Sequence, residues 1–233
     1  MEIVARIKND YGEKFGVPRQ AGLAEHAVSR VVIEPPFRIR EAFRGIEACS
    51  HLWLIWGFSE NEGRGWSPTV RPPQLGGNVR LGVFATRSPY RPNGIGISAV
   101  KLESVNLDDP DGAYLTVSGA DLMDGTPIYD IKPYVAISDA HPEASDVLGG
   151  RRVRKKLKVI CSGKLLAPLS EHERLGLLET LELDPRPAYQ DDPDRIYGMA
   201  FAGRNVRFRV EKEVLTVLGI KKPQQPRKGK CNE

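Results

Sequence analysis

Cysteine is scarce in this chain and histidine is scattered. The three cysteines, Cys49, Cys161 and Cys231, are odd in number and far apart. That pattern suits neither a disulfide framework nor a zinc site and fits a reducing compartment. The four histidines, His26, His51, His141 and His172, show no ligand spacing, so no metal is expected. His51, at the head of an apolar run, reads as a structural residue. No window approaches the 18 uninterrupted apolar residues of a membrane span. The amino terminus MEIVARIKND lacks the apolar core of a signal peptide, which points to the cytoplasm. Also missing are the glycine-rich dinucleotide fingerprint, the P-loop, HExxH, paired CxxC and GxSxG. With them go the motif evidence for a Rossmann cofactor site, for metal catalysis and for a serine nucleophile elbow.

What is present is an ordinary globular composition, 40% hydrophobic and 27% charged over 233 residues. That length allows one well-packed core and a smaller second unit. Charge divides the chain unevenly. Residues 1–150 carry 15 basic and 19 acidic side chains, whereas residues 151–233 carry 19 and 11. Two clusters dominate the basic half, RRVRKKLK (Arg151 to Lys158) and the tail KKPQQPRKGK (Lys221 to Lys230). The tail composition reads as disordered, and the two clusters together favour a nucleic-acid partner.

Periodicity predicts mostly strands in the first part. Glu2 to Ile7, Val28 to Ile33, HLWLIWGF (His51 to Phe58), Arg80 to Ala85, Ile95 to Leu102, Tyr114 to Ser118 and Tyr134 to Ile137 read as strands. Arg40 to Ala48 has helical spacing. Many short strands between glycine- and proline-bearing loops predict a mainly β fold, a barrel or sandwich. After Gly149-Gly150 the character shifts. A helix is expected over Leu165 to Leu183 with Leu175, Leu178 and Leu181 near one face, then a strand pair Tyr197 to Phe201 and Asn205 to Val210. The expected division is therefore 1–149, a small α+β unit at 150–220, and a flexible tail at 221–233.

Four polar islands interrupt the apolar pattern: GVPRQAG (Gly16 to Gly22), SENEGRGWSPTVRPPQLGGN (Ser59 to Asn78), VFATRSPYRPNGIGIS (Val83 to Ser98) and ADLMDGTPIYDIKPYV (Ala120 to Val135). Each alone reads as a decorated surface loop. The third is more than a turn: Asn93-Gly94 suffices for a hairpin, yet Arg87 and Arg91 stand four residues apart between Pro89 and Pro92. Rigid backbone bearing guanidinium groups suits an anionic or polar ligand.

FATRSPYRPNGIGIS, DLMDGTPIYDIKPY, GVPRQ, RPPQLGG and the later DPRPAY together resemble the TsaA-like family, also called TrmO. The likeness extends to about Ile220, with Gly94 standing where the family pattern leads one to expect proline. It implies a small non-Rossmann β-barrel methyltransferase, followed by a small carboxy-terminal domain and working as a homodimer. The implied activity is transfer of a methyl group from S-adenosylmethionine to N6 of threonylcarbamoyladenosine at position 37 in the tRNA anticodon loop.

By motif position, Pro18, Arg19, Gln20, Ser59, Glu60, Arg87, Ile97 and the segment Asp124, Gly125, Thr126, Pro127, Ile128 are the implied cofactor contacts. Arg91, Asn93, Lys132 and Tyr134 are the candidate substrate contacts, Arg91 first and Lys132 second for the threonyl carboxylate. Asp124 and Asp130 are the candidate bases, although an N6-H beside a carbamoyl carbonyl needs no strong one. Two other readings stay open at this point: a non-catalytic RNA-binding module, and a small-molecule methyltransferase on the same barrel.

Overall fold

A computed structural model describes residues 1–61, 63–72, 75, 78–147, 156–186 and 192–222. Its first unit is a closed six-stranded barrel. β1 (Ala5–Lys8), β2 (Val28–Ile33) and β3 (His51–Gly57) come first. A two-stranded ribbon follows, β4 (Thr69–Val70) and β5 (Leu81–Gly82). Then come β6 (Ile95–Asn106), β7 (Tyr114–Ser118) and β8 (Pro127–Pro133). The barrel order is β1-β2-β7-β6-β3-β8, and β1 closes on β8 through Ala5 opposite Ile128. Closure removes the open edges of the sheet. Alternation decides what faces inward: Ile7, Val31, Ile33, Leu52, Leu54, Val100, Leu115, Val117 and Ile128 fill the interior.

Several expectations change here. HLWLIWGF is half inside: Leu52 and Leu54 are buried, Trp56 follows them on the inner face and is half-buried against the barrel core, whereas Trp53 and Ile55 lie half-buried on the other face. Tyr134 to Ile137 is not a strand; β8 ends at Pro133 and a single helical turn, α1 (Ala136–Asp139), follows. Arg40 to Ala48 forms two 3-10 turns, Arg40–Phe43 and Ile46–Ala48, split by Gly45 at φ +88°. Arg80 to Ala85 is only the short β5 and a 3-10 turn, Val83–Ala85.

The second unit holds β9 (Lys158–Ile160), α2 (Gly163–Leu166), α3 (Glu171–Glu182), β10 (Tyr197–Phe201), β11 (Arg204–Glu211) and β12 (Val214–Lys221). The sheet order is β10-β11-β12-β9, with β9 parallel to β12. The single long helix expected from Leu165 is divided near Pro168. α3 restarts at Ser170 with a capping box, in which the hydroxyl accepts from the Glu173 N–H and the Glu173 carboxylate accepts from Ser170 N–H. Its buried face is Gly176, Leu177, Thr180 and Leu181, while Leu175 is exposed.

The second core is not purely carboxy-terminal. Tyr11, Ala24 and Ala27 belong to it, and Phe15 and Val17 pack against it. Tyr11 meets Phe201 edge-on, and its hydroxyl is 3.0 Å from Thr180 Oγ1. The loop from β1 to β2 is thereby threaded into the carboxy-terminal unit. Gly16, at φ +104°, sits so close to Met199 Sδ that a β-carbon would lie 2.9 Å away. This anchoring fixes GVPRQ between the two units. The expected linker at Gly149-Gly150, most of the basic cluster from Arg151 and the tail after residue 222 lie outside the described residues.

Candidate functional site

A cavity of about 1200 Å³ opens between the barrel and the second unit. Segments far apart in the chain build its wall, among them Lys14–Gln20, the end of β3 with Ser59 and Glu60, the β4 strand and its flanks, the Ala85–Arg91 loop, the start of β6, the Asp121–Met123 approach to β8, and the Leu183–Arg186 segment after α3. Of the residues singled out in the sequence, Pro18, Arg19, Gln20, Ser59, Glu60, Arg87, Arg91, Ile97 and Thr126 line it.

Charge and hydrogen bonding give each a distinct posture. Arg87 is exposed to the cavity, and its Nη1 donates to Gln20 Oε1 at 2.9 Å. Gln20 in turn donates from Nε2 to the Arg19 carbonyl at 2.7 Å. Arg19 faces the other way: its Nη2 donates to the carbonyl oxygens of Asp184 and Arg186, at 3.3 and 2.5 Å. The guanidinium of Arg19 therefore ties the PRQ turn to the DPR segment of the second unit. Arg91 is also engaged, donating from Nη1 to the carbonyls of Val83 at 3.2 Å and Thr86 at 2.7 Å. It stiffens its own loop, so two prolines and an internal guanidinium brace one turn.

An aromatic wall stands opposite. Trp56 meets Phe58 edge-on with centroids 4.4 Å apart. Its ring occupies the space above Gly96, its partner across β3 and β6, where any side chain would collide with it. The indole N–H donates to Ser98 Oγ at 3.0 Å, and the Ser98 hydroxyl donates to Asp121 Oδ1 at 2.5 Å. Burial pushes the Asp121 carboxyl above its ordinary range, opposed by Ser98, by backbone N–H groups and by the charge of Arg87. Asp121 heads the DLMDGTPIYDIKPY motif but is not among the implied cofactor contacts, because its spacing carries no signal of its role.

The other candidates stand elsewhere. Asp124 Oδ1 accepts the Asn9 N–H at 3.0 Å, and Gly125 takes the turn at φ +79°. Thr126 Oγ1 donates to the Met123 carbonyl at 2.8 Å. Pro127 and Ile128 are buried at the start of β8, Ile128 inside the barrel. These four hold the turn that presents Thr126 and are not themselves in the cavity wall. Asn93 is exposed in the loop before β6 and outside the wall.

Asp130, Lys132 and Tyr134 are not brought to the cavity in this chain. Asp130 pairs with Lys132 at 2.9 Å. Tyr134 packs on Trp53 and His51, at the end of β3 remote from Trp56. His51 is exposed, with Nδ1 3.0 Å from Ser50 Oγ. Among the described residues no group of three His, Cys, Asp or Glu side chains converges as a metal site would require.

The tRNA-methyltransferase O N-terminal domain model matches residues 6–140, and the TrmO C-terminal domain model matches residues 154–223. The chain belongs to the TrmO family. It is 40% identical over 217 residues to the tRNA (adenine(37)-N6)-methyltransferase of Escherichia coli K12, covering 90% of this chain and 92% of that one. An enzyme of the same name from Eikenella corrodens is 46% identical over 173 residues, 73% of this chain and 96% of its own. Among solved structures, TrmO from Pseudomonas aeruginosa superposes with a TM-score of 0.73 at 32% identity, covering 94% of this chain and 96% of that chain. The two family models together cover both units that border the cavity.

Proposed function

We propose that this protein transfers a methyl group from S-adenosylmethionine to N6 of adenine 37 in tRNA, on an adenine that already bears a threonylcarbamoyl group. Two relatives that match along most of the chain carry the name tRNA (adenine(37)-N6)-methyltransferase, and a third is named a putative S-adenosylmethionine-dependent methyltransferase. The observation that carries the reading is the cavity. Motif residues from Pro18 to Thr126, more than a hundred positions apart in sequence, converge on one wall.

The wall suits a ligand with an adenine ring, a carboxylate and a positive centre. Arg87, steadied by Gln20, offers a guanidinium to a carboxylate. Trp56 and Phe58 give an apolar aromatic surface for a nucleobase. S-adenosylmethionine, when bound, supplies a methyl group on a sulfonium as electrophile. The chain's own residues then align and dehydrate: the loop from Val83 to Arg91 is braced by Arg91, and Arg19 ties the adjoining PRQ turn to the second unit. The N6 proton is acidified by the neighbouring carbamoyl carbonyl. Neither Asp124 nor Asp130 is therefore asked to act as base, consistent with their placement outside the wall.

The basic half of the chain is suited to the tRNA backbone. We further infer a homodimer working in the cytoplasm. Phe84 and Trp66 stand exposed in the segments around the cavity mouth, as surfaces awaiting a second copy do. No helix among the described residues is long and apolar enough to cross a membrane. The test is mass spectrometry of tRNA nucleosides from cells with and without the gene. The methyl on threonylcarbamoyladenosine disappears without the gene if the reading is right, and an unchanged nucleoside profile refutes it.

A further inference from the structure

We infer that Asp121 is the anion against which the cavity seats a sulfonium, and that it distinguishes the charged methyl donor from its neutral thioether product. This rests on the reading of S-adenosylmethionine as the donor. Three acids line the cavity among the described residues: Glu60, Asp121 and Asp184. Glu60 is exposed to water. Asp184 is buried and already neutralised, its Oδ1 2.9 Å from Arg186 Nε. Asp121 alone of the three is half-buried and met at close range by neutral donors, the Ser98 hydroxyl foremost.

No ion pair reaches it among the described residues; the charge of Arg87 acts from farther off. A half-buried carboxylate without a counter-charge is costly. A ligand cation brought beside it removes that cost, and this is where binding free energy for a positive centre is stored in the wall.

The kind of cation follows from the neighbours. One carboxylate oxygen accepts from Ser98, which is itself held by the Trp56 indole, so the carboxylate is fixed in direction. Trp56 adds a ring face, and Ile97 lines the same wall. A sulfonium has no N–H to donate and is weakly hydrated, so a fixed charge and an aromatic face suffice for it. An ammonium needs several acceptors, which this corner does not supply. The cationic side chains lining the cavity, Lys14, Arg71, Arg80, Arg87 and Arg91 among them, repel a positive centre elsewhere.

S-adenosylmethionine and S-adenosylhomocysteine share the adenine, ammonium and carboxylate and differ in the methyl and its sulfonium charge. Calorimetric titration of both ligands into wild type and Asp121→Asn therefore isolates the contact. Asp121→Asn is expected to weaken S-adenosylmethionine by about tenfold or more while S-adenosylhomocysteine stays within about threefold. Equal losses for both ligands make Asp121 a structural residue and overturn the inference, as does an unchanged affinity for both. Wild type that binds neither ligand overturns the donor reading itself, a distinguishable result. Should Asp121→Asn fail to fold, Asp121→Ser keeps a partner for Ser98 in less space, and the same ratio of affinities decides.

Discussion

Two carboxylates, one buried and one half-buried, stand at the cavity wall, one on each side, and they are held in opposite ways. On the side of the second unit, Asp184 meets Arg186 through two contacts, Oδ1 to Nε at 2.9 Å and Oδ2 to Nη2 at 3.1 Å, with both side chains almost fully buried. Asp184 also adopts φ +53°, a left-handed conformation that aspartate tolerates better than most residues. On the barrel side, Asp121 is met by a hydroxyl and by backbone amides. The first arrangement meets charge with charge and shapes the backbone whose carbonyls receive Arg19. The second leaves a charge unmatched. One wall is finished by folding alone, and the other is finished by a ligand.

The largest effect comes from breaking the finished side. Asp184→Asn keeps the left-handed backbone and removes the charge, leaving Arg186 buried against a neutral amide. Thermal or denaturant unfolding is expected to show a loss of about 3–5 kcal/mol. The barrel side behaves with the opposite sign. The native Asp121 carboxyl titrates above its unfolded value, so its ionisation opposes folding. Wild type gives up stability as pH rises from about 3.9, the unfolded carboxylate value, through the raised native value. Asp121→Asn lacks that loss and is expected to be at least as stable as wild type at neutral pH. Denaturant midpoints compared at acid and neutral pH check the sign.

A smaller effect is expected at Arg87, which is exposed and whose loss leaves the fold intact. Arg87→Ala is expected to weaken S-adenosylmethionine by about 2–3 kcal/mol, the range for a charged hydrogen-bonding group losing its partner. Unlike Asp121→Asn, it weakens S-adenosylhomocysteine equally, because the carboxylate is common to both ligands. Calorimetry on the same pair of ligands reads the difference. The smallest effect belongs to Lys132→Ala. Its ion pair with Asp130 is exposed, and the residue is outside the cavity wall. Stability and S-adenosylmethionine affinity are expected to stay within about 0.5 kcal/mol of wild type, by the same two measurements.

The strands that were legible in the sequence are those whose side chains alternate between clear turn signals. Val28–Ile33 and Tyr114–Ser118 match their expected bounds. Tyr197–Phe201 does so as well, ending in a turn at Ala202 and Gly203. β8 was hidden because Pro127, Asp130, Lys132 and Pro133 make it look like a loop. The prolines sit at the first and last positions of the strand, where a missing N–H is tolerated, and the charged residues face outward. The barrel therefore closes through a segment that reads as polar.

The site was legible through family motifs and not through periodicity, because its wall is drawn from segments spanning Lys14 to Arg186. Even so, motif position does not reveal which way a side chain turns. Arg19 lies in the motif expected to hold the cofactor, yet its guanidinium holds the second unit. Arg91 lies in the loop expected to meet the substrate, yet its guanidinium holds that loop. Asp121 heads a family motif, but its contact with Ser98 and its place in the cavity wall became visible only in three dimensions.

The most direct test of the account is methyl transfer by the purified protein from isotope-labelled S-adenosylmethionine to two tRNA preparations, one threonylcarbamoylated at adenine 37 and one lacking that group. Label on N6 of the modified adenine, with little or none in the unmodified tRNA, is the result predicted. Absence of label from both, or equal label in both, would contradict it.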